Sequence, residues 1–279
     1  MQRMSKPITL LPDAREPAHL LHPGLTAPPA TAAPQGPVRA SWARHLDELR
    51  EAQRLRHQIF ALEMGATLNT PLPGHDIDEF DDYCEHLLVR DEASGRVVGT
   101  YRVLTPAQAQ RAGGWYSDRE FDLSPIARFR PQAIEMGRSC VHADWRSGAV
   151  ILALWAELGA FMSRNRLSVM LGCASMPMHW PGVPRHGAAA AAVWQQLRQQ
   201  HLAAPEWQVL PHHPLPLAEL SEPLAVPVEA PALIRGYLRM GGQLLGPPAW
   251  DPLFNTADLP ILLHITALPA RYRRLLSQA

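Results

Sequence analysis

The sequence predicts an α/β (α+β) protein in which a mixed β-sheet carries helices on both faces. Short apolar runs typical of strands alternate along the chain with segments whose apolar residues recur at helical spacing. A hairpin interrupts this alternation near the middle, and a mixed sheet covered on both faces accommodates that order. Apolar residues make up 47% of the 279 residues, which is enough for a substantial core.

The first residues differ in composition from the rest. Residues 1–37 are rich in Pro and Ala and predict a disordered leader, because they bury too little apolar surface to offset the entropy of ordering. The folded domain is therefore expected over residues 38–279. Residues 38–42 predict a first strand. Residues 43–64 have amphipathic helical spacing, and Gly65 follows where a helix commonly ends.

An acidic segment and a hairpin come next. Residues 68–83 contain five acids, Asp76, Asp78, Glu79, Asp81 and Asp82. Their composition favours a solvated loop, although a cation or a substrate ammonium group could also bind there. Their spacing does not match a calcium-binding loop, so no metal site is predicted. Residues 85–90 and 97–104 predict a hairpin.

The most informative segment is residues 133–165. A strand over 133–141 contains two charged residues, Glu135 and Arg138, where apolar ones are expected. A turn and a helix follow, and the unpaired N–H groups that begin a helix favour an anion such as phosphate. Side chains alternate along a regular strand, so Glu135 and Arg138 would face opposite sides. If both serve one cleft, a β-bulge or splay is required near Met136 and Gly137, and it would free backbone N–H groups.

The rest of the chain continues the alternation. The predicted elements are a strand over 167–174, an Ala-rich helix over 187–202, an irregular proline-rich segment over 207–231, a short helix over 231–240 and a last strand over 258–265. Three basic residues, Arg271, Arg273 and Arg274, close the chain.

Charge and cysteine content indicate which partners and which cellular compartment to expect. Lys plus Arg and Asp plus Glu both number 26, so no net charge favours a nucleic acid or a membrane surface as partner. Three scattered cysteines predict a reducing, cytoplasmic location without disulfides. We find no secretory signal, and the longest apolar segment is shorter than the ~20 residues that span a bilayer.

Eight runs of sequence, in order, carry a family resemblance: residues 52–64, 78–89, 98–102, 120–124, 137–142, 171–175, 236–239 and 254–258. They resemble the L-ornithine N-alpha-acyltransferases, a branch of the GNAT acyltransferase superfamily related to the acyl-homoserine-lactone synthases. The resemblance covers about residues 38–274 and weakens over 177–192 and 209–229. It implies a GNAT-like fold with a mixed, mostly antiparallel sheet.

The resemblance also implies a reaction. A 3-hydroxyacyl chain would pass from acyl carrier protein to the alpha-amine of L-ornithine and give lyso-ornithine lipid. Phosphopantetheine would be a co-substrate, with no permanently bound cofactor and no metal. Two alternatives stay open: the same transfer to glutamine, glycine, lysine or a homoserine-lactone precursor, and a module that binds acyl carriers or lipid without turnover.

Amine attack on a thioester needs a base and donors that face the developing oxyanion. Glu135 is the candidate base, with Arg138 beside it, as in the Glu-x-x-Arg pair of the synthases. Burial would raise the pKa of Glu135 and an adjacent arginine would lower it. The alternative is a buried Glu135–Arg138 ion pair that only holds the strand. Cys140 could be a nucleophile, but a strand cysteine is more often a small buried hydrophobe.

The other site residues are assigned to the two substrates. Arg102 and Arg138 could bind the acceptor carboxylate or pair with Asp78 and Asp81; the resemblance favours a shared Asp78, Asp81 and Arg102 network. Arg56 and Phe60 could line the acyl side or belong to an ordinary amphipathic helix. The acyl donor is assigned to Val141, His142, Arg146, Gly148 and Ala149, with His142 as either a proton relay or a cap of the turn.

Two interaction surfaces are predicted. Because acyl carrier proteins are acidic, a basic patch is expected, with Arg146, Arg164 and Arg166 as candidates near the donor turn in sequence. An amphiphilic product favours peripheral contact with the inner face of the membrane through the proline-rich segment or the basic C-terminus.

Overall fold

An eight-stranded sheet lies at the centre of this computed structural model, which describes residues 36–146 and 148–269. The strands of the described chain are β1 Val38–Trp42, β2 Glu85–Asp91, β3 Val97–Leu104, β4 Phe121–Asp122, β5 Ala133–Val141, β6 Val169–Pro177, β7 Leu210–Pro211, β8 Gln243–Leu244, β9 Ala249–Asp251 and β10 Thr256–His264. Strands β4 and β7 pair with each other in a separate two-stranded sheet, and the other eight form the central sheet. The order is β1-β2-β3-β5-β6-β10-β8, and β9 also pairs with β10. Strands β5 and β6 run parallel, and the other neighbours in this sheet are antiparallel. The predicted mixed, mostly antiparallel sheet is confirmed.

Helices cover both faces of the sheet. They are α1 Leu46–His57, α2 Pro106–Ala112, α3 Ala149–Arg164, α4 Ala188–His201 and α5 Ala232–Arg239. Successive residues of β2 point to opposite faces. Leu87 and Val89 belong to the core beneath α3, while Leu88 belongs to the core beneath α1. The prediction of helices on both faces is therefore confirmed.

The positions of the main strands and helices agree with the predicted segments to within a few residues. The helix predicted over 43–64 is α1 followed by a π-helix, Gln58–Glu63, whose wider turns the apolar spacing did not reveal. Helix α2 was missed, although Thr105, Pro106 and Gln108 form a capping box with Pro at the first position. Residues 1–35 of the predicted leader and the arginines after residue 269 lie outside the described chain.

Strand β5 is irregular close to the position at which the sequence predicts a bulge or splay. Its parallel pairing with β6 ends at Glu135, opposite Leu171, so the two strands separate from Met136 onward. The ladder with β3 pairs Gly137 with Arg102 but Cys140 with Thr100, which places a bulge at Arg138 and Ser139. Arg138 has a φ of +50°, in the left-handed region. The predicted splay is confirmed, and the bulge begins one residue later than predicted.

No helix in the described ranges combines the length and the apolar composition required to cross a bilayer.

Candidate active site

A cavity of about 420 Å³ lies at the separation of β5 and β6. Residues 135–141 of β5 line it from one side, and Met170, Gly172, Cys173 and Ser175 of β6 from the other. Phe60 of the π-helix and Tyr237 of α5 also line it. Because β6 no longer pairs with β5 beyond Glu135, the backbone on this edge of β5 has no hydrogen-bond partners in β6 and faces the cavity.

Glu135 is buried in the cavity wall and held by three donors. Its carboxylate accepts hydrogen bonds from the Tyr116 N–H at 2.6 Å, the Ser117 N–H at 2.7 Å and the Ser117 hydroxyl at 2.5 Å. Burial raises the pKa of Glu135 and outweighs these hydrogen bonds, which lower it. A carboxylate with a raised pKa is a better proton acceptor near neutral pH. Tyr116 and Ser117 were not predicted, because they belong to a 3-10 helix, Tyr116–Arg119, distant in sequence.

The alternative of a Glu135–Arg138 ion pair is wrong. Arg138 pairs with Asp76 (Nε to Oδ2, 3.2 Å) and with Asp78 (Nη2 to Oδ2, 2.9 Å). Its guanidinium also lies over the rings of Tyr116 and Phe254. Although Glu135 and Arg138 have different partners, both line the same cavity, as the predicted irregularity allows.

Three arginines and three aspartates form a closed ring of ion pairs, which we call the Asp–Arg ring. Arg56 pairs with Asp76 at 2.9 Å and with Asp81 at 2.6 Å, and Arg102 pairs with Asp78 at 2.5 Å and with Asp81 at 2.8 Å. Arg138 closes it. Burial alone would raise the pKa values of Asp78 and Asp81, but the arginines outweigh it and lower both. The Asp78, Asp81 and Arg102 network implied by the resemblance is confirmed. The solvated loop that the composition favoured is wrong for these aspartates.

The residues assigned to the acceptor and acyl chain divide between the cavity and the layer behind it. Phe60, Arg102 and Arg138 line the cavity. Arg56 is 0% exposed and lies in the Asp–Arg ring. The sequence suggested a substrate contact for Arg56, whereas the structure gives it aspartate partners beneath the cavity wall.

Two residues assigned to the donor turn line the cavity, and several contacts hold the turn in place. Val141 and Arg146 line the cavity, and Gly148 precedes α3 with a φ of +101°. The Arg146 guanidinium pairs with Glu63 (Nη1 to Oε1, 2.6 Å). The His142 ring caps the turn by accepting from the Asp144 N–H at 3.3 Å. Burial and the nearby Arg96 lower the pKa of His142, which favours a neutral ring.

The predicted basic patch needs one correction. Arg164 ends α3, and Arg166 follows it, so both lie about 24 Å from the donor turn along a 16-residue helix. Sequence proximity was misleading because the intervening helix carries the chain away. Arg96, which lies against His142 (Nη2 to Nε2, 2.8 Å), is an exposed basic residue at the turn in addition to Arg146.

Comparison with known proteins identifies the family. Residues 55–156 match the acetyltransferase (GNAT) domain family. The chain is 34% identical to the L-ornithine N(alpha)-acyltransferase of Brucella abortus, over 85% of this chain and 88% of that protein. It is also 34% identical to the enzyme of that name from Rhodobacter capsulatus, over 83% of this chain and 91% of that protein. The chain belongs to the L-ornithine N(alpha)-acyltransferase family.

Solved structures agree on the fold. The CoA-dependent acyl-homoserine lactone synthase BjaI superposes with a TM-score of 0.50 at 20% identity, covering 87% of this chain and 90% of that one. At this identity the similarity supports the GNAT-like fold, while family membership makes the chain an acyltransferase.

One feature of this family member was not predicted at all. Glu120, Asp251 and Asp258 also line the cavity, and their carboxylates lie within 4.8 Å of one another. We call them the acidic trio. They stand in three separate parts of the sequence, so no motif joins them, and only the pairing of β9 with β10 brings Asp251 to Asp258. The 120–124 and 254–258 runs of the family resemblance were the available signal.

Proposed function

We propose that this protein transfers a long acyl chain, typically 3-hydroxyacyl, from the phosphopantetheine arm of acyl carrier protein to the α-amine of L-ornithine. The names of its relatives supply the acceptor. The observation that carries the proposal is the position of Glu135, a buried carboxylate with a raised pKa, where β5 and β6 separate. Attack on a thioester requires such a base beside a channel for the thioester.

The donor arm occupies the gap between β5 and β6 in this proposal. Its carbonyl oxygen faces the edge of β5 beyond Glu135, where backbone N–H groups have no strand partner in β6 and can stabilise an oxyanion. The phosphate of the arm lies at the first turn of α3, after Gly148 and beside Arg146.

The reaction then balances without a further reactant. Glu135 accepts the proton of the attacking amine, the amine nitrogen forms a bond to the thioester carbonyl carbon, and the carbon–sulfur bond breaks. The sulfur leaves as a thiolate and takes up a proton. The Asp–Arg ring has no net charge from its own six groups, so its role is to fix Arg102 and Arg138 against the cavity.

An amphiphilic product also suggests where the enzyme works. We propose a cytoplasmic protein that contacts the inner face of the membrane through the proline-rich segment 207–231. Leu210 in this segment is 69% exposed and would be available for such a contact.

A turnover assay tests the function. Purified protein is mixed with 3-hydroxyacyl acyl carrier protein or the matching acyl-CoA, and with ornithine, lysine, glutamine, glycine or S-adenosylmethionine. We expect mass spectrometry to find the ornithine α-amide as the main product, formed faster from the carrier-protein donor. Preference for another acceptor would reassign the substrate, and no amide with any of them would favour a binding module.

A further inference from the structure

The acidic trio is a cluster of three carboxyl groups that form no ion pair within the described ranges. Its members come from the residue after the 3-10 helix (Glu120), from β9 (Asp251) and from β10 (Asp258). No arginine, lysine or histidine within the described ranges forms an ion pair with any of them. The described arginines nearest the active site are instead committed to the Asp–Arg ring.

Two oxygens of the trio are also unsatisfied. Asp258 is only 4% exposed, and its Oδ1 has no hydrogen-bond partner in the described chain. The same holds for Oε2 of Glu120. A buried carboxylate oxygen without a partner is costly, and both residues line the cavity. A cationic donor that enters from the cavity would satisfy both oxygens.

We propose that Glu120, Asp251 and Asp258 bind the side-chain ammonium of the acceptor, so that the enzyme selects diamino acids over neutral ones. This inference rests on the proposed function and adds the residues that determine the acceptor. An ammonium group has three N–H donors, which matches one oxygen from each of three carboxylates. Ca²⁺ or Mg²⁺ at the trio would need further ligands such as water to complete its coordination, and mass spectrometry for bound metal distinguishes that occupant from an ammonium group.

The trio is placed at a suitable distance from the base. The Ser117 hydroxyl, which donates to Glu135, lies 3.5 Å from the Cys173 sulfur, and Cys173 lies beside the Glu120 carboxylate. Two side chains, Ser117 and Cys173, therefore separate the base from the trio along the same wall. The two nitrogens of ornithine are joined by five single bonds and lie about 6 Å apart when extended, which lets one molecule reach both.

The raised pKa values of two trio residues predict how the binding of an ammonium group should depend on pH. Burial and the neighbouring carboxylates raise the pKa of Glu120, and burial raises that of Asp258 to about 6, helped by Asp251 and opposed by Ser175, Thr256 and Arg138. Glu135 and Cys173 also face Glu120. A bound ammonium would favour the charged carboxylates. The KM for ornithine should therefore fall as the pH rises through about 6.

Acceptor specificity in two variants tests the proposal. Asp258→Asn and Glu120→Gln keep the shape of each side chain and remove its charge, and both are compared with wild type on ornithine and on its neutral analogue L-2-aminopentanoic acid. Loss of a hydrogen bond to a charged group predicts a KM for ornithine raised about 10- to 150-fold. The kcat and KM for the neutral analogue should hardly change. Asp122→Asn, an exposed acid two residues from Glu120, is the matched control.

The alternatives give different results. Equal losses with both acceptors would overturn the ammonium site, and so would a stoichiometric divalent metal detected by mass spectrometry and lost from the variants. Calorimetric binding of ornithine is measured in parallel. If wild type binds ornithine and Asp258→Asn does not, the site holds even when no product forms and the proposed reaction fails. Equal binding by both proteins would overturn it.

Discussion

Carboxylates around this site are held in opposite protonation states by their neighbours. Asp78 and Asp81 face arginines, which lower their pKa values despite burial. Glu135 faces neutral donors, so burial decides and raises its pKa. Environments that separate the pKa values of nearby acids are how enzymes assign distinct roles to them. The aspartates are therefore permanent charges, and Glu135 is the acid that can exchange a proton.

Replacing this one acid tests the assignment. Glu135→Gln keeps an oxygen that can accept from Ser117 but cannot take a proton, so we expect kcat to fall by about 10²–10⁴-fold. Cys140→Ala is the comparison variant, because burial raises the pKa of the Cys140 thiol to about 12 and keeps it protonated. It should retain activity. Steady-state assays measure both rates. An unchanged rate in Glu135→Gln would show that Glu135 is not the base, and a lost rate in Cys140→Ala would show that Cys140 takes part in the reaction.

The elements around the site depend on the Asp–Arg ring. It joins α1 through Arg56, β3 through Arg102 and β5 through Arg138 to the loop that carries the aspartates. The bulge in β5 turns Arg138 toward this loop. A regular strand would not place Arg138 and Glu135 in one cavity, so the loop and the bulge depend on each other.

Removing one arginine from the ring should therefore cost stability. Arg56→Met leaves Asp76 and Asp81 buried without that cation, and we expect the free energy of unfolding to fall by about 3–5 kcal/mol. Arg54→Met, two residues away on the exposed face of α1, should change it by less than about 1 kcal/mol. Urea unfolding followed by circular dichroism measures both. Equal effects in the two variants would show that the ring contributes little.

An arginine at each end of α3 allows the proposed docking of acyl carrier protein to be tested with a matched control. Arg146 precedes the helix and lines the cavity, while Arg164 ends it. Arg146→Glu should raise the KM for the acyl carrier protein donor about tenfold, since a charge-assisted contact is lost. The KM for ornithine should not change. Arg164→Glu should leave both constants unaltered. Steady-state kinetics in which both variants act alike would place the docking surface elsewhere.

The sequence predicted the features that depend on local patterns and missed those that depend on contacts between separate segments. The longer strands and most helices were predicted because apolar spacing and turn residues are local, whereas α2 and the short strands β4, β7, β8 and β9 were missed. Glu135 and Arg138 were found because charges in an apolar strand stand out. The donors to Glu135 and the acidic trio were not predicted. Ser117 lies in a polar run and Asp251 is a single acid among apolar and proline residues, so neither has a distinguishing pattern. Ser117 reaches Glu135 through hydrogen bonds from a 3-10 helix, and Asp251 approaches Asp258 through the pairing of β9 with β10.

At the scale of the whole molecule, the Asp–Arg ring and the acidic trio give stability opposite dependences on pH. Asp78 and Asp81 have lowered pKa values, so their contribution is present above about pH 4, the value in an unfolded chain, and is lost as the pH falls below it. Asp258 has a pKa raised to about 6. Its folded form therefore keeps a proton that the unfolded chain releases, and stability decreases as the pH rises from about 4 to 6.

The difference between Asp258→Asn and wild type isolates this contribution. Asparagine does not ionise, so the variant should gain stability relative to wild type, by on the order of 2–3 kcal/mol, between pH 4 and pH 8. Titrating groups away from the trio, such as His86 with its pKa lowered by burial to about 4, act on both proteins and cancel. Glu120 does not cancel, because the Asp258 carboxylate helps to raise its pKa, and its change is part of the measured difference. Urea unfolding at the two pH values measures the difference, with the exposed Asp82→Asn as control. A difference independent of pH would mean that Asp258 is not held in a protonated state, and that the trio carries no electrostatic strain for an ammonium ligand to relieve.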